Sequence, residues 1–275
     1  MKSNTQVLDR FPMAVNEQPF HGLAGLQVWW PEHADDVVAL LDSAAVVSVL
    51  HCGAGVAASL RPYAFTHDSH QNLLIDLTQP EPDLWRNIRR RDRLDIRNAA
   101  KLNYRVRLNE ETEQAFTLVD GFIRRRRFRP PMHEPEWREL QGRCDVFLVE
   151  CAGVAIASRV VLVDAPGRRV RGLFGATVDR GDSRYRGLVG PLNRMLFWHE
   201  FIHYKARGMC WYDMGGVEFD RASPIYTISQ FKASFGGVTA NEHSLRLAGQ
   251  PFVRSLFRAA AAARRMWWRP DAVNL

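Results

Sequence analysis

Apolar residues fall into short strand-like runs in the first third of the chain and into longer periodic stretches after it. Residues 45–50 and 56–62 are strand-like runs on either side of the turn Cys52-Gly53-Ala54-Gly55, and residues 72–77 (NLLIDL) are a third. The Pro80-Glu81-Pro82-Asp83 break then starts a helix, with Asp83 as N-cap. The spacing predicts one helix over 84–102, with Leu84, Ile88, Arg91, Asp95 and Ala99 on one side, Leu94, Ile96 and Ala100 broadening the apolar stripe, and an arginine-rich remainder. Residues 104–108 alternate as a strand. Residues 110–127 form a helix that is acidic at its start and basic at its end, an order that suits the helix dipole.

A short helix over 134–141 leads into strands 146–150, 154–163 and 170–177, joined by turns of hairpin length that make this part of the sheet antiparallel. Residues 192–207 form a crossover helix stopped by Gly208. A short strand 210–213, a helix 224–235, a strand 238–247 and a basic amphipathic helix 251–268 complete the chain. The order is that of an α+β fold with a mixed, largely antiparallel sheet flanked by helices.

Hydrophobic residues make up 46% and charged residues 24% of the 275 positions, a globular composition that excludes disorder for the bulk of the chain. Lys and Arg exceed Asp and Glu by 37 to 30, and the resulting charge of +7 favours anionic partners. The four cysteines, Cys52, Cys144, Cys151 and Cys210, form no C-x-x-C pair and no disulfide framework. No secretory signal and no apolar run of about 18–20 residues is visible, so the expected location is the cytoplasm.

Residues 208–237 read GMCWYDMGGVEFDRASPIYTISQFKASFGG. A helix ending in Gly208, a strand with Tyr212-Asp213 and Gly215-Gly216, then Phe231-Lys232 before Phe235-Gly236-Gly237 resembles the C-terminal signature of the Fem-like aminoacyltransferases of the GNAT superfamily. Arg93, Ile96, Arg97, Ala99 and Lys101 resemble that family's basic helix, and the likeness extends over about residues 73–247. The resemblance implies a GNAT-like domain at 104–250, preceded by a shortened GNAT-like half at 1–103 and followed by the tail helix at 251–275.

The chemistry it implies is amide formation. An amine attacks an activated carbonyl, and the developing oxyanion needs preorganised donors. The resemblance puts Lys232 in the oxyanion role, against the alternative of a solvated helix lysine, and sets Phe231 against the donor or in the core. Asp213 would accept a proton from the amine or orient it, or else cap the turn that follows. Tyr185, Tyr212 and Glu218 are candidates for contact with the acceptor. Residues 184–190 (Arg184, Tyr185, Arg186, Gly187, Leu188, Val189 and Gly190) resemble the pyrophosphate loop of acyl-CoA-dependent GNAT enzymes, a turn feeding a helix N-terminus, with Val189 at a position expected to be small. Acyl-CoA is therefore the favoured co-substrate and aminoacyl-tRNA the alternative, with no tightly bound cofactor. The resemblance alone implies the acceptor class, an amino group of a sugar nucleotide or cell-envelope precursor.

A rival motif lies in the same chain: His199-Glu200-Phe201-Ile202-His203 is a literal H-E-x-x-H, which on a helix could hold zinc with Glu200 as general base. No third ligand follows at the required spacing, so no metal ligand set is assigned and the two histidines are expected on a packing face. Arg124–Arg127 with Arg129, and the arginines of 89–97, could track a tRNA backbone, hold a CoA phosphate or form a solvated face. The tail helix could touch a membrane surface or pack on the body. A binding module without turnover is the remaining class.

Overall fold

The structure is a computed structural model that describes residues 14–17, 20, 23–126, 134–178, 181 and 183–267. The described residues divide into two compact units, those of 14–72 with 240–267, and those of 73–239. The boundaries differ from those expected at 103 and 250. The strand predicted over 238–247 pairs with a strand of the first third of the chain, which returns the tail to the N-terminal unit.

In the first unit, strand β1 (Ala14–Glu17) is antiparallel to β2 (Gly25–Trp29). Helix α1 (Ala34–Leu40) then crosses to β3 (Val46–Cys52), which lies parallel to β2. Helix α2 (Ala54–Leu60) and a single 3-10 turn at Arg61–Tyr63 follow, and then the long strand β4 (Ala64–Asp76). The expected strand at 56–62 is thus a helix: Ala57 and Leu60, three apart, carry its buried side, which is a helical rather than an alternating period. β10 (Val238–Leu247) runs antiparallel to β3 and lies between β3 and β4. The core joins Val28, Val37, Leu40, Val47, Val49, Leu60, Leu245 and Leu247. The tail helix α9 (Pro251–Trp267) packs within this unit: Arg258 donates to the carbonyl of Ala64, and Phe257 stacks on Phe65.

In the second unit the helix predicted over 84–102 is two, α3 (Glu81–Asn87) and α4 (Arg90–Ala99). Ile88 leaves the helix with ψ 133°, the N–H of Arg89 donates to the carbonyl of Ser234 at 2.7 Å, and Arg93 caps the end of α3 by donating to the carbonyls of Arg86 and Ile88. Strands β5 (Tyr104–Leu108), β6 (Cys144–Cys151), β7 (Val154–Asp164) and β8 (Arg169–Thr177) form an antiparallel run, with α5 (Thr112–Arg126) and α6 (Glu134–Gln141) between β5 and β6. The crossover helix α7 (Val189–Ala206) returns the chain to β9 (Trp211–Val217), parallel to β8, and α8 (Tyr226–Ala233) follows. Parallel neighbours require such a crossover. β9 lies between β8 and the end of β4.

β7 is buried almost throughout, as a near-continuous apolar run should be when both faces are covered. The core of this unit collects Val161, Val170, Leu192, Leu196, Phe197, Phe201, Tyr204, Tyr212 and Phe235. Gly237 has φ +93°, and a Cβ there would stand 2.5 Å from the carbonyl oxygen of Leu74, so the Phe-Gly-Gly turn at the end of α8 needs glycine at that position. No helix is long and apolar enough to cross a membrane among the described residues.

Candidate active site

The parallel pairing of β8 with β9 sets Arg171 directly opposite Asp213, and Arg169, two residues earlier, shares its face. Both arginines donate to one carboxylate oxygen of Asp213, at 2.6 Å from Arg171 and 2.7 Å from Arg169. The other oxygen accepts the N–H of Gly215 at 2.7 Å. Asp213 is wholly buried. It therefore does the capping that the sequence allowed and also holds two guanidinium groups in place. Both of its oxygens are engaged, which argues for an orienting role.

Gly215 bends β9 with φ +83°, a conformation that side chains with a Cβ adopt only under strain. A Cβ there would lie 3.4 Å from the Lys232 ammonium and 3.6 Å from Arg171. Lys232, in the last turn of α8, donates to the carbonyl oxygen of Gly216 at 2.8 Å. The Tyr-Asp, Gly-Gly and Phe-Lys elements of the sequence signature thus meet at one bend of β9. Burial, and then the neighbouring charge of Arg171, lower the pKa of Lys232 from 10.5 to about 7, against the opposing pull of Asp213. Lys232 is accordingly an ammonium that sheds its proton easily. An anion placed beside it would restore the proton and gain a charge-assisted hydrogen bond.

A second charged set adjoins the first. Arg159, in the middle of β7, lies opposite Gly175 of β8, and a Cβ at Gly175 would strike its guanidinium. Gly172 makes the same allowance at 3.0 Å. In the space so left Arg159 lies over the ring of Phe197 at 3.6 Å and ion-pairs with Glu200 at 3.3 Å. Glu200 also accepts a hydrogen bond from the hydroxyl of Tyr212. Burial raises the pKa of Glu200, an effect that Arg159 and Tyr212 oppose, and burial beside Glu200 raises that of Tyr212.

The remaining sequence candidates lie as follows. Tyr212, expected at the acceptor, is wholly buried with its hydroxyl on Glu200, so it belongs to the core. Phe231 packs against Phe197 and Phe235 and lies under Arg194 at 5.2 Å, the core alternative for that residue. Glu218 is exposed and accepts the N–H of Asp220, shaping the loop before α8. Arg184, Arg186 and Gly187 are exposed, and Arg184 lies over the ring of Tyr185 at 5.1 Å. The N–H groups of Leu188 and Val189 both donate to the carbonyl of Tyr185, and Pro191 has no N–H. This turn therefore offers fewer backbone donors to a pyrophosphate than its glycine content suggests.

The H-E-x-x-H motif does lie on a helix, but its three side chains diverge. Glu200 is buried in the ion pair with Arg159, the His199 ring meets the Tyr104 hydroxyl at 3.1 Å, and His203 packs on Phe147. Burial lowers the pKa of both histidines. Among the described residues neither belongs to a cluster of three metal-ligating side chains. The zinc-peptidase reading thereby loses its general base.

Sequence reasoning missed Arg159, Arg169, Arg171 and the core role of Glu200. One signal was available: an Arg-x-Arg pair and two glycines within the nine residues of β8. Another basic feature survives. Arg86, Arg89, Arg90, Arg91 and Arg97 are exposed on and between α3 and α4, while residues 127–129 of the arginine run lie outside the described residues.

The architecture is a GNAT-like mixed sheet, and solved structures share it. FemX superposes with a TM-score of 0.63 at 12% identity, over 89% of this chain and 86% of that one. The C-terminal domain of a candidate lysylphosphatidylglycerol synthetase from Agrobacterium fabrum gives 0.55 at 13% identity, over 91% and 88%. L-PGS from Bacillus licheniformis gives 0.53 at 13%, over 86% and 84%. No family model matches the sequence, and no curated protein does. At these identities the likeness establishes the fold.

Proposed function

We propose that the chain is an acyltransferase that forms an amide, taking its acyl group from an aminoacyl-tRNA and passing it to an amine of a cell-envelope or sugar-nucleotide precursor. The observation that carries the reading is the Lys232 ammonium held against the Gly215-Gly216 bend beside Arg171. The substrate amine attacks the ester carbonyl, the carbonyl oxygen takes up the negative charge, and Lys232 donates to it. The oxyanion then collapses to the amide carbonyl, the ester C–O bond to the ribose breaks, and the leaving ribose oxygen takes the proton that the attacking amine gives up. A preorganised donor of this kind is worth about 10²–10³ in turnover. Asp213 positions Arg169 and Arg171, whose charges keep the site positive. Arg159 and Glu200 fix the adjoining core.

Two observations favour tRNA as donor. The exposed arginines of α3 and α4 suit a phosphate backbone, and the turn at 184–190 has two of its N–H groups already engaged. Acyl-CoA remains the second reading, because Arg184, Arg186 and Gly187 are exposed ahead of a long helix. The test supplies the purified chain with hydroxylamine as a surrogate amine and either a labelled pool of aminoacyl-tRNA or acetyl-CoA, and measures hydroxamate. Aminoacyl hydroxamate above the spontaneous rate, lost in Lys232→Met, is expected. Acetyl hydroxamate alone transfers the assignment to CoA, and no product with either donor, or product undiminished in Lys232→Met, overturns the reading.

A further inference from the structure

The N-terminal unit holds a second polar cluster that plays no part in the acyl-transfer reading. β10 lies between β3 and β4, and one residue from each of the three strands meets at one place: His51 from β3, His70 from β4 and Glu242 from β10. Nδ1 of His51 is 2.9 Å from Nε2 of His70 and 3.2 Å from a carboxylate oxygen of Glu242. Asn72, two residues after His70 and so on the same side of β4, donates to Glu242, and its amide nitrogen is also 2.9 Å from Nδ1 of His51. Glu242 and Asn72 are buried, and only 9% of the His51 side chain is exposed.

Hydrogen bonding alone does not satisfy this arrangement. A ring nitrogen either donates one hydrogen bond or accepts one. Here the amide N–H of Asn72, which requires a lone pair, and the carboxylate of Glu242, which requires an N–H, both face Nδ1 of His51. Either tautomer leaves one contact opposed. A cation among the three side chains removes the opposition between Nδ1 and the carboxylate, because both imidazoles can then be neutral and turn lone pairs to it together with Glu242, while the amide of Asn72 keeps its hydrogen bond to Glu242. The spacing agrees. Zinc held at about 2.0–2.1 Å in tetrahedral geometry sets neighbouring ligand atoms about 3.3 Å apart, and the ligand atoms of the three side chains all lie within 4.8 Å of one another.

The backbone serves the same end. His51 has φ +60°, a left-handed conformation that is uncommon for a residue with a side chain, and the β3–β10 register shifts beside it, between His243 and Leu245. Its ring stacks on Trp29 with centroids 5.4 Å apart.

We propose that His51, His70 and Glu242 bind one divalent transition-metal ion of the zinc type, with water in the fourth position and Asn72 orienting the carboxylate from outside. Two imidazoles and a carboxylate suit zinc better than magnesium or calcium, which prefer oxygen ligands throughout.

The test uses the full chain, freed of any affinity tag and stripped with EDTA, then titrated with zinc chloride and with cobalt chloride. Elemental analysis after gel filtration should find one zinc per chain. Tm should rise until one equivalent is bound, and cobalt should show the visible absorption of a tetrahedral site. Glu242→Gln and His70→Ala should each weaken zinc binding about 100-fold and Asn72→Ala about tenfold. His67→Ala, which disrupts the separate exposed His67–His243 pair, should leave it unchanged. If His70→Ala fails to fold, Glu242→Gln, which preserves shape and the Asn72 hydrogen bond, decides. A wild-type chain that retains no zinc and shows no Tm response, or zinc affinity undiminished in Glu242→Gln, overturns the proposal.

Discussion

The two units gather polar side chains of opposite character. In the C-terminal unit Arg159, Arg169, Arg171 and Lys232 surround two carboxylates, Asp213 and Glu200, which leaves positive charge in excess. In the N-terminal unit two imidazoles and one carboxylate converge, which leaves lone pairs in excess. The first suits an anion that develops during a reaction, and the second suits a cation. Both rely on an irregular strand residue in the left-handed region, Gly215 in β9 and His51 in β3. A regular strand sends alternate side chains to opposite faces, so a local break is the economical way to bring an extra group to one point.

The strongest test of the contrast is Lys232→Met. Turnover should fall about 10²–10³-fold, equivalent to about 3–4 kcal/mol of transition-state stabilisation. Stability should move the other way. Burial depresses the folded-state pKa to about 7 from an ordinary 10.5, so between these values the unfolded chain binds more protons and wild-type stability rises with pH. Below about pH 7 the buried ammonium costs the most. The variant should therefore have the higher Tm at pH 6, and its advantage should shrink towards pH 10. Parallel loss of activity and Tm would make Lys232 a structural residue.

Next in size is Glu200→Gln, which leaves Arg159 buried without its counter-charge and should cost about 3 kcal/mol in urea unfolding. Zinc binding by the N-terminal unit should survive in native buffer. A smaller effect concerns pH and rate. An oxyanion donor must be protonated, so kcat/KM should fall as pH rises through about 7, and Lys232→Arg, which stays charged, should lose that limb at reduced activity. A rate that climbs through the same range would mark Lys232 as a base. The smallest expected effect is that of Gly215→Ala, about 1 kcal/mol of stability from a strained φ. Its loss of turnover should be larger in proportion, because the new methyl meets the Lys232 ammonium.

Much of the C-terminal unit was legible in the sequence. Strands 104–108, 146–150, 154–163 and 170–177 and the crossover helix all occur, with ends moved by a few residues. Their signals are local: apolar runs of strand length, hairpin turns and a glycine stop. The signature around Asp213, Gly215 and Lys232 also lies close together in space as well as in sequence. The N-terminal unit was less legible. The sequence pattern assigns nothing to β1, β2 and α1 and makes α2 a strand, because seven residues of Ala, Gly, Val, Ser and Leu carry little periodic signal. The single helix at 84–102 failed for a different reason. The break at Ile88 and Arg89 is made by partners far along the chain, the carbonyl of Ser234 among them.

By itself, then, the sequence determined the α+β class and the order of elements after residue 104, since each follows from the chemistry of neighbouring residues, while Lys232 was singled out by a family resemblance. It left open what His199, Glu200 and His203 do, where the tail returns, and which charges meet. Only tertiary structure turned Glu200 to Arg159, brought Arg171 opposite Asp213 and gathered His51, His70 and Glu242. Strand register and packing across long separations decide those contacts, and neither is written in any short stretch of the chain.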